Sequence, residues 1–392
     1  SIVGRMGTPT VAAFTDTYLP TVNGVTYTVK SWRECWEKRG HEMDVVYPGG
    51  DEYDPSDGEY PVRSVPFPFY EGFRIGVPQV PDAVEDADIV HSHTPFGVGL
   101  SGLRLSRSED VPLVASYHTP TSEYAEYISF NGAIERTVRR CAESYERWFL
   151  EQTDLVVAPS ERTRRHVVQE VGVDTRVAVV PNGVDIDRFQ PVDTAAFRDR
   201  YDLGDGPLVG YTGRHGYEKQ LDLLVDAVAA IDRDVTLVMG GDGPARSDLE
   251  AAAAAQGIDA RFLGFLDRDD LPAFYSTLDV FAFPSPVETQ GLVALEASAC
   301  GTPVAGVAAG ALADTIDDGA TGYTADAGSV DAFAAAIERT LDEAASLRET
   351  CLDRRESISV EFAIDQLESL YGRVCDRRDR DGGVSTAAPS SG

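Results

Sequence analysis

The sequence predicts an α/β protein of two doubly wound, parallel-sheet domains of similar size, facing each other across a central cleft. Three observations predict it. Short, nearly continuous apolar runs rich in β-branched residues alternate with longer stretches of helical periodicity, the pattern of strands covered on both faces. That alternation runs through the first half and restarts after RVAVVPNGVDIDRFQP (176–191), whose Pro, Asn, Gly and Asp mark a linker. The length, 392 residues, favours more than one core. These observations place a first domain at 1–190 and a second at 191–360. A helix at 361–380 should pack back on the first domain, ahead of a disordered tail at 381–392.

In order along the chain, TVAAF (10–14) reads as the first strand. The loop TDTYLPTVNG follows, then VTYTVKSWRECWEKRG, with Val25, Val29, Trp32 and Trp36 at helical spacing and Gly40 as a stop. DVVY (44–47), DADIVH (86–91), PLVASYH (112–118) and DLVVAPS (154–160) supply further strands. PLVGYTG (207–213), VTLVMGG (235–241), ARFLGF (260–265), LDVFAFP (278–284) and TPVAGV (302–307) form the second set. AAAAAQG (251–257) reads as a helix end with a glycine stop, and FAIDQLESLYGRVCDRRDR (362–380) as helical.

The charge balance narrows the function classes. Sixty-five acidic residues face 34 basic ones, a formal net charge of −31, and only Lys30, Lys38 and Lys219 are lysines. Such a chain suits a salt-rich cytoplasm, where the Debye length falls to roughly 3 Å and self-repulsion is screened. No basic stripe is present to neutralise phosphates, which argues against nucleic-acid partners. Five scattered cysteines without a C-x-x-C argue against a disulfide framework or a zinc site. Without a leader pattern or a bilayer-length apolar run, the expectation is a cytoplasmic protein, at most resting on the inner face of the membrane.

Ligands of doubly wound sheets bind beyond the carboxyl ends of strands. The tight G-x-G-x-x-G of a dinucleotide site is missing there, which disfavours hydride transfer. GRHGYEK instead sets Arg214 and Lys219 between a strand and a helix. Two cations there suit a diphosphate, and suit equally a solvated helix terminus. ETQGLVALEASACG puts Gly291 at a helix start, where backbone N–H groups approach an anion closely. Glu288 and Glu296 stand about 12 Å apart along a helix axis, roughly the span from sugar to ribose in a nucleotide-sugar. Read alone, they serve surface solubility at least as well. His91 and His93 alternate on a strand and should face opposite sides, not form a metal pair. DRDD (267–270) contains a D-x-D, but before a helical LPAFYSTL it reads as a helix cap. No G-x-S-x-G appears.

GRHGYEKQLDLLVDA, GGDGPARSDLE, RFLGFLDRDDLPAFYSTLDVFAFPSPVETQGLVALEASACGTPV and DGATGY, in this order, resemble glycosyltransferase family 4. These are retaining enzymes of the GT-B fold. FTDTYLPTVNGV, HSHTPFG, SYHTP and VVPNGVDIDRF extend the resemblance over nearly the whole chain. It departs at His215, where an apolar residue is common, and at Gln290, where phenylalanine is frequent.

Position by position, the resemblance implies that Glu288 holds the donor sugar's hydroxyls and Glu296 the ribose. Arg214 and Lys219 clamp the diphosphate with the amides around Gln290, Gly291 and Leu292, and Gly24 lets the first domain's loop close over the phosphates. His118 contacts the donor sugar near the reaction centre, and Gly264 and Phe265 meet the base. Asp16 and Tyr124 lie on the acceptor side. The donor is a nucleotide-sugar, UDP-glucose before GDP-mannose, and neither cofactor nor metal is required.

YHTPTSEYAEYI (117–128) with ETQGL is most similar to the glycolipid-forming branch, making a membrane lipid the preferred acceptor and a soluble sugar or glycan the second. The helix around 130–150 carries Arg136, Arg139, Arg140 and Arg147 beside Trp148 and Phe149. It suits either peripheral contact with anionic lipid or ordinary packing on the sheet. The alternative class is a nucleotide-sugar epimerase or a non-catalytic GT-B-like binding protein.

Overall fold

The computed structural model describes residues 8–21, 23–50, 52–66, 74–118, 132–286, 291–310 and 312–384, with side chains omitted at 132–139 and 379–384. It divides into two compact units, Ser1–Asn182 with Ala363–Gly392, and Gly183–Phe362.

Unit 1 is built on β1 (Val11–Phe14), β2 (Met43–Pro48), β3 (Glu59–Val62), the hairpin of β4 (Ser64–Pro66) and β5 (Arg74–Gly76), β6 (Ile89–Ser92), β7 (Leu113–Ser116), β8 (Leu155–Ala158) and β9 (Val177–Val179). Seven of these form a parallel sheet in the order β3-β2-β1-β6-β7-β8-β9. Every residue of β1, β6, β7 and β8 is buried, as helices on both faces require. The helix Gly24–Lys38 covers one face with Val25, Val29, Trp32 and Trp36, all buried, on its i, i+4 stripe. It starts at Asn23, whose side chain accepts from Thr26 N at 2.9 Å. It stops where Gly40 turns left-handed at φ 79°.

The last helix, Val360–Val384, belongs to unit 1 from Ala363 onward. There Tyr371 packs edge-on against Trp36 at 5.6 Å, and Arg39 pairs with Asp365 at 2.7 Å.

Unit 2 carries β10 (Leu208–Thr212), β11 (Thr236–Gly240), β12 (Ala260–Gly264), β13 (Val280–Phe283), β14 (Val304–Val307) and β15 (Gly322–Ala325). They form a parallel sheet in the order β12-β11-β10-β13-β14-β15. Tyr211, Phe274, Tyr275, Phe281 and Phe283 fill its core, with ring centroids 5.6–6.2 Å apart in successive contacts. Among the described residues no helix is long and apolar enough to cross a membrane.

The chain enters unit 2 at Gly183, inside 181–191, the Pro-, Asn-, Gly- and Asp-rich part of the expected linker, and eight residues before the expected start at 191. Val184 and Val360 exchange backbone bonds of 2.9 Å through Val184 N to Ile358 O and Val360 N to Val184 O. Phe189 is wholly buried 6.1 Å from Tyr275. Gly183, at φ 79°, has no room for a side chain, since a Cβ would sit 2.6 Å from Val360 Cα. The Pro-Asn-Gly-Asp cluster correctly signals a turning chain, but turn chemistry says nothing about whether the turn is exposed.

The capping expectation for DRDD also needs correction. Asp270 occupies the N-cap position of the helix Leu271–Thr277 without capping it, because its carboxylate pairs with Arg200 at 3.0 Å.

Candidate functional site

In unit 2 the strand order reverses between β10 and β13, so the loops leaving these adjacent parallel strands border the crevice where such sheets bind ligands. The loop after β10 carries Arg214 and Lys219. Arg214 is exposed, with Nη1 3.6 Å from Glu218 Oε1. Lys219 ends a single 3-10 turn, Tyr217–Lys219, ahead of the helix Leu221–Ala230.

His215, where the sequence departs from the family pattern, is fully buried in the same loop. Its Nε2–H donates to Gly240 O at 3.1 Å, and its backbone N–H donates to Asp242 O at 2.8 Å. The imidazole thereby ties the cationic loop to the end of β11.

The segment after β13 leads to the helix Leu292–Ala299. Gly291 is its N-cap, left-handed at φ 61°, and a Cβ there would meet Thr315 Oγ1 at 2.7 Å. As a glycine, the N-cap residue offers no side-chain cap to this helix start. On the helix, Glu296 is 4% exposed. Its Oε2 accepts from Tyr275 Oη at 2.9 Å, and its Oε1 accepts from Arg268 Nη2 at 3.2 Å. Burial pushes the Glu296 pKa up, against the opposing pull of the Arg268 charge and the two hydrogen bonds. The Arg268 guanidinium lies over the Phe189 ring at 5.1 Å. At the end of β12, Gly264 is left-handed at φ 74°, and Phe265 is 81% exposed, an apolar ring presented to solvent.

In unit 1 the reversal falls between β1 and β6. Asp16 and Gly24 follow β1, and His118 follows β7. Gly24 is the first residue of its helix. Asp16 is buried, and its carboxylate accepts from Thr94 Oγ1 at 2.7 Å, Val98 N at 2.9 Å and Gly99 N at 3.4 Å. It therefore caps the helix Gly97–Glu109, while burial pushes its pKa up despite these bonds. It also lines a groove of about 230 Å³ with Tyr18, Pro20, Pro48, Glu52 and Arg74. The capping role makes a stability prediction. Asp16→Ala should cost about 1–3 kcal/mol in urea unfolding, because two buried N–H groups lose their acceptor. Asp16→Asn, which keeps an acceptor oxygen, should cost less.

His91 and His93 do not face opposite sides as strand alternation predicts. β6 ends at Ser92, and the two rings stack with centroids 4.2 Å apart at 18°. Alternation holds only while the strand's dihedrals last. His93 Nδ1 lies 3.1 Å from His118 Nε2, and burial lowers all three pKa values, His91 to about 3 and His118 to about 4. All three imidazoles are thus neutral at pH 7.

Tyr124, Glu288 and Gln290 lie outside the described residues, as does the tail from residue 385. Arg268 and Tyr275 were not singled out by sequence reasoning, while His93 was weighed only as half of a metal pair and His215 only as a departure from the family pattern. Arg268 sat inside a motif read for its aspartates, and nothing in the local pattern marks Tyr275.

Residues 22–188 match the family model described as Glycosyltransferase Family 4, and residues 193–356 match Glycosyl transferases group 1. The chain is 34% identical to a 2-deoxystreptamine glucosyltransferase of Streptomyces kanamyceticus, over 74% of this chain and 78% of that protein. It is 30% identical to a GDP-mannose-dependent alpha-mannosyltransferase of Mycobacterium tuberculosis, over 93% and 97%. It is 29% identical to an alpha-monoglucosyldiacylglycerol synthase of Streptococcus pneumoniae, over 75% and 70%. In fold it is similar to a sucrose-phosphate synthase from Thermosynechococcus elongatus, with TM-score 0.73 and 23% identity over 93% of this chain and 99% of that one. Two parallel doubly wound units, with family matches covering both, lead to one conclusion: the chain belongs to glycosyltransferase family 4 and is a hexosyltransferase of the GT-B fold.

Proposed function

We propose that the enzyme transfers a hexose with retention from a nucleotide-sugar to an acceptor hydroxyl, with UDP-glucose as first donor and GDP-mannose as second. The observation that carries this reading is the gathering, at the β10/β13 reversal, of a two-cation loop, a glycine-headed helix start and a buried carboxylate. Arg214 and Lys219 balance the diphosphate, Glu296 accepts from the ribose hydroxyls, and the amides at Gly291 and Leu292 meet phosphate oxygens. Glu288 takes the donor sugar's hydroxyls, the amide of Gln290 joins those at Gly291 and Leu292, and Gly264 with the exposed Phe265 offers a surface to the base.

The bond from the anomeric carbon to the diphosphate oxygen breaks. The acceptor oxygen bonds to the same carbon from the same face, and its proton passes to the departing phosphate. Stabilising the leaving charge then supplies most of the catalysis, a task Arg214 and Lys219 perform without a metal.

The acceptor is proposed to be a membrane lipid, reached by peripheral attachment at the cytoplasmic face. The similarity to the diacylglycerol synthase supports this, as does the helix Gly132–Leu150, where Trp148 is 42% exposed near Arg140 and Arg147. The greater identity to the 2-deoxystreptamine enzyme favours a soluble acceptor as second reading. A salt-rich cytoplasm is proposed from the net charge alone.

Thermal shifts with UDP-glucose, UDP-galactose and GDP-mannose test the donor, since a ligand at 100 times its Kd adds about 2.7 kcal/mol to the native state. Labelled donor with total lipid extract tests the acceptor. Label in the organic phase is expected, whereas label in soluble saccharide alone would transfer the case to the second reading. A changed free nucleotide-sugar without transfer would contradict both.

A further inference from the structure

Beside His118, unit 1 contains a buried imidazole for which neither the family resemblance nor the reaction supplies a task. His93 is 2% exposed and held on three sides. His91 stacks on one face at 4.2 Å and is itself fixed by Tyr371 Oη and by Ser116 Oγ at 2.8 Å. The Trp32 ring stands edge-on at 5.8 Å. Toward His118 the two imidazoles are nearly parallel, at 13°, with centroids 5.4 Å apart and Nδ1 to Nε2 at 3.1 Å. That combination describes rings lying edge to edge in one plane, the geometry of a well-aligned N–H···N bond.

We propose that His93 is a positioning residue for the transfer reaction: its Nδ1–H donates to His118 Nε2, which fixes the His118 ring plane and makes His118 the Nδ1–H tautomer.

The direction of the bond follows from what lies at the other edge of His93. Its Nε2 is buried without a hydrogen-bond partner among the described residues. If His118 donated instead, the proton of neutral His93 would sit on that nitrogen, a buried N–H without an acceptor. A bare lone pair in the same place is the milder defect, as the rarity of orphaned donors in folded proteins attests. With both rings neutral, each carries one proton, so fixing the donor of the shared bond fixes both tautomers. With Nε2 accepting, neutral His118 carries its own proton on Nδ1. The stack keeps His93 from rotating away, so the tautomer and the aim of His118 are set before substrate arrives.

The inference rests on the reading that His118 contacts the donor, and the tests separate the two. In the wild-type enzyme, ¹⁵N–¹H correlation of the imidazoles, tractable with six histidines, should show His118 as the Nδ1–H tautomer. An Nε2–H signal there would overturn the inference without any variant. His93→Leu keeps apolar bulk and removes the donor. It should lower kcat for UDP-glucose turnover about 10- to 100-fold with KM changed less than about twofold, and should mix the His118 tautomers. His93→Asn restores an N–H near the Nδ1 position and should recover activity to within about threefold of wild type. Equal losses in the Leu and Asn variants, or a change in KM alone, would reduce His93 to a packing residue. Unchanged turnover in His118→Ala sinks the reading of His118 itself. A large loss there beside an unaffected His93→Leu sinks only the inference.

Discussion

Lys219→Ala lowers kcat about 10²- to 10³-fold with UDP-glucose, while the urea midpoint stays at the wild-type value. Lys219 is the only lysine of unit 2 in a chain that otherwise uses arginine, and it closes the turn after β10 at the strand reversal. An ammonium there does little in the ground state, where solvent and counterions already screen the diphosphate. In the proposed reaction it acts as the bond to the anomeric carbon breaks and charge gathers on the departing oxygen. The loss should therefore fall on kcat more than on KM, and single-turnover kinetics should show it in the chemical step. Arg214→Ala should cost less, because that guanidinium is exposed whereas Lys219 is half-buried. A Lys219→Ala enzyme within twofold of wild type would remove Lys219 from the reaction.

Arg268→Met produces two opposite pH trends in one variant. Glu296 is buried, and its pKa stands above the usual glutamate range because desolvation outweighs the pull of Arg268 and Tyr275. For a carboxyl whose native pKa is raised, the folded state binds the proton more tightly than the unfolded state. Stability is then greatest below the unfolded pKa and declines as pH rises toward the native one. Without the guanidinium at 3.2 Å, the native pKa climbs further and the decline extends to higher pH. Melting temperatures should approach wild type near pH 5. By pH 8 the variant should be weaker by about 3–5 kcal/mol, the cost of leaving a buried charge without its partner.

Nucleotide affinity moves the other way. With the ionised carboxylate as the proposed acceptor for the ribose hydroxyls, UDP binding should weaken as pH falls and the proton returns. Calorimetric titration of UDP across pH 5–8, beside melts in the same buffers, checks both. Two flat profiles would show that Arg268 does not hold down the Glu296 pKa. Glu296→Gln on the Arg268→Met background should flatten the stability trend, because no charge remains to bury.

Much of the fold was legible in the sequence for one reason. A sheet covered on both faces demands continuous apolar strands, and the helices covering it demand apolar residues three and four apart. Both signals are local, and Val25, Val29, Trp32 and Trp36 carry them openly. The glycine stops at Gly40 and Gly257 are local too, since a left-handed residue after a helix is almost a property of the dipeptide. Less legible were features whose cause lies far along the chain. The turn at 181–191 looks the same in sequence whether wholly exposed or, as here, anchored by buried Val184 and Phe189, the latter against Tyr275. The aspartates of DRDD look like caps, but Arg200 takes Asp270, and the consequential residue of that motif is its arginine.

The candidate site divides along the same line. Residue types and spacing were enough to nominate Arg214, Lys219, Gly291 and Glu296, but a solvated helix terminus or surface solubility explained them as well; the family resemblance associated them with a nucleotide-sugar. They follow strands and open helices, and that placement is written in periodicity. Sequence also excluded a dinucleotide fingerprint, because glycine spacing is a matter of adjacent residues. Tertiary structure alone decided which strands became neighbours, and so which loops share a crevice, because the β10/β13 pairing joins segments some seventy residues apart. It alone committed Asp16 to the N-terminus of a helix more than eighty residues away and tied His215 to the end of β11. It also set His93 beside His118 through strands that meet only in the folded sheet. Periodicity reports the environment each residue needs; partners separated by long stretches of chain are chosen only when packing closes the loops between them.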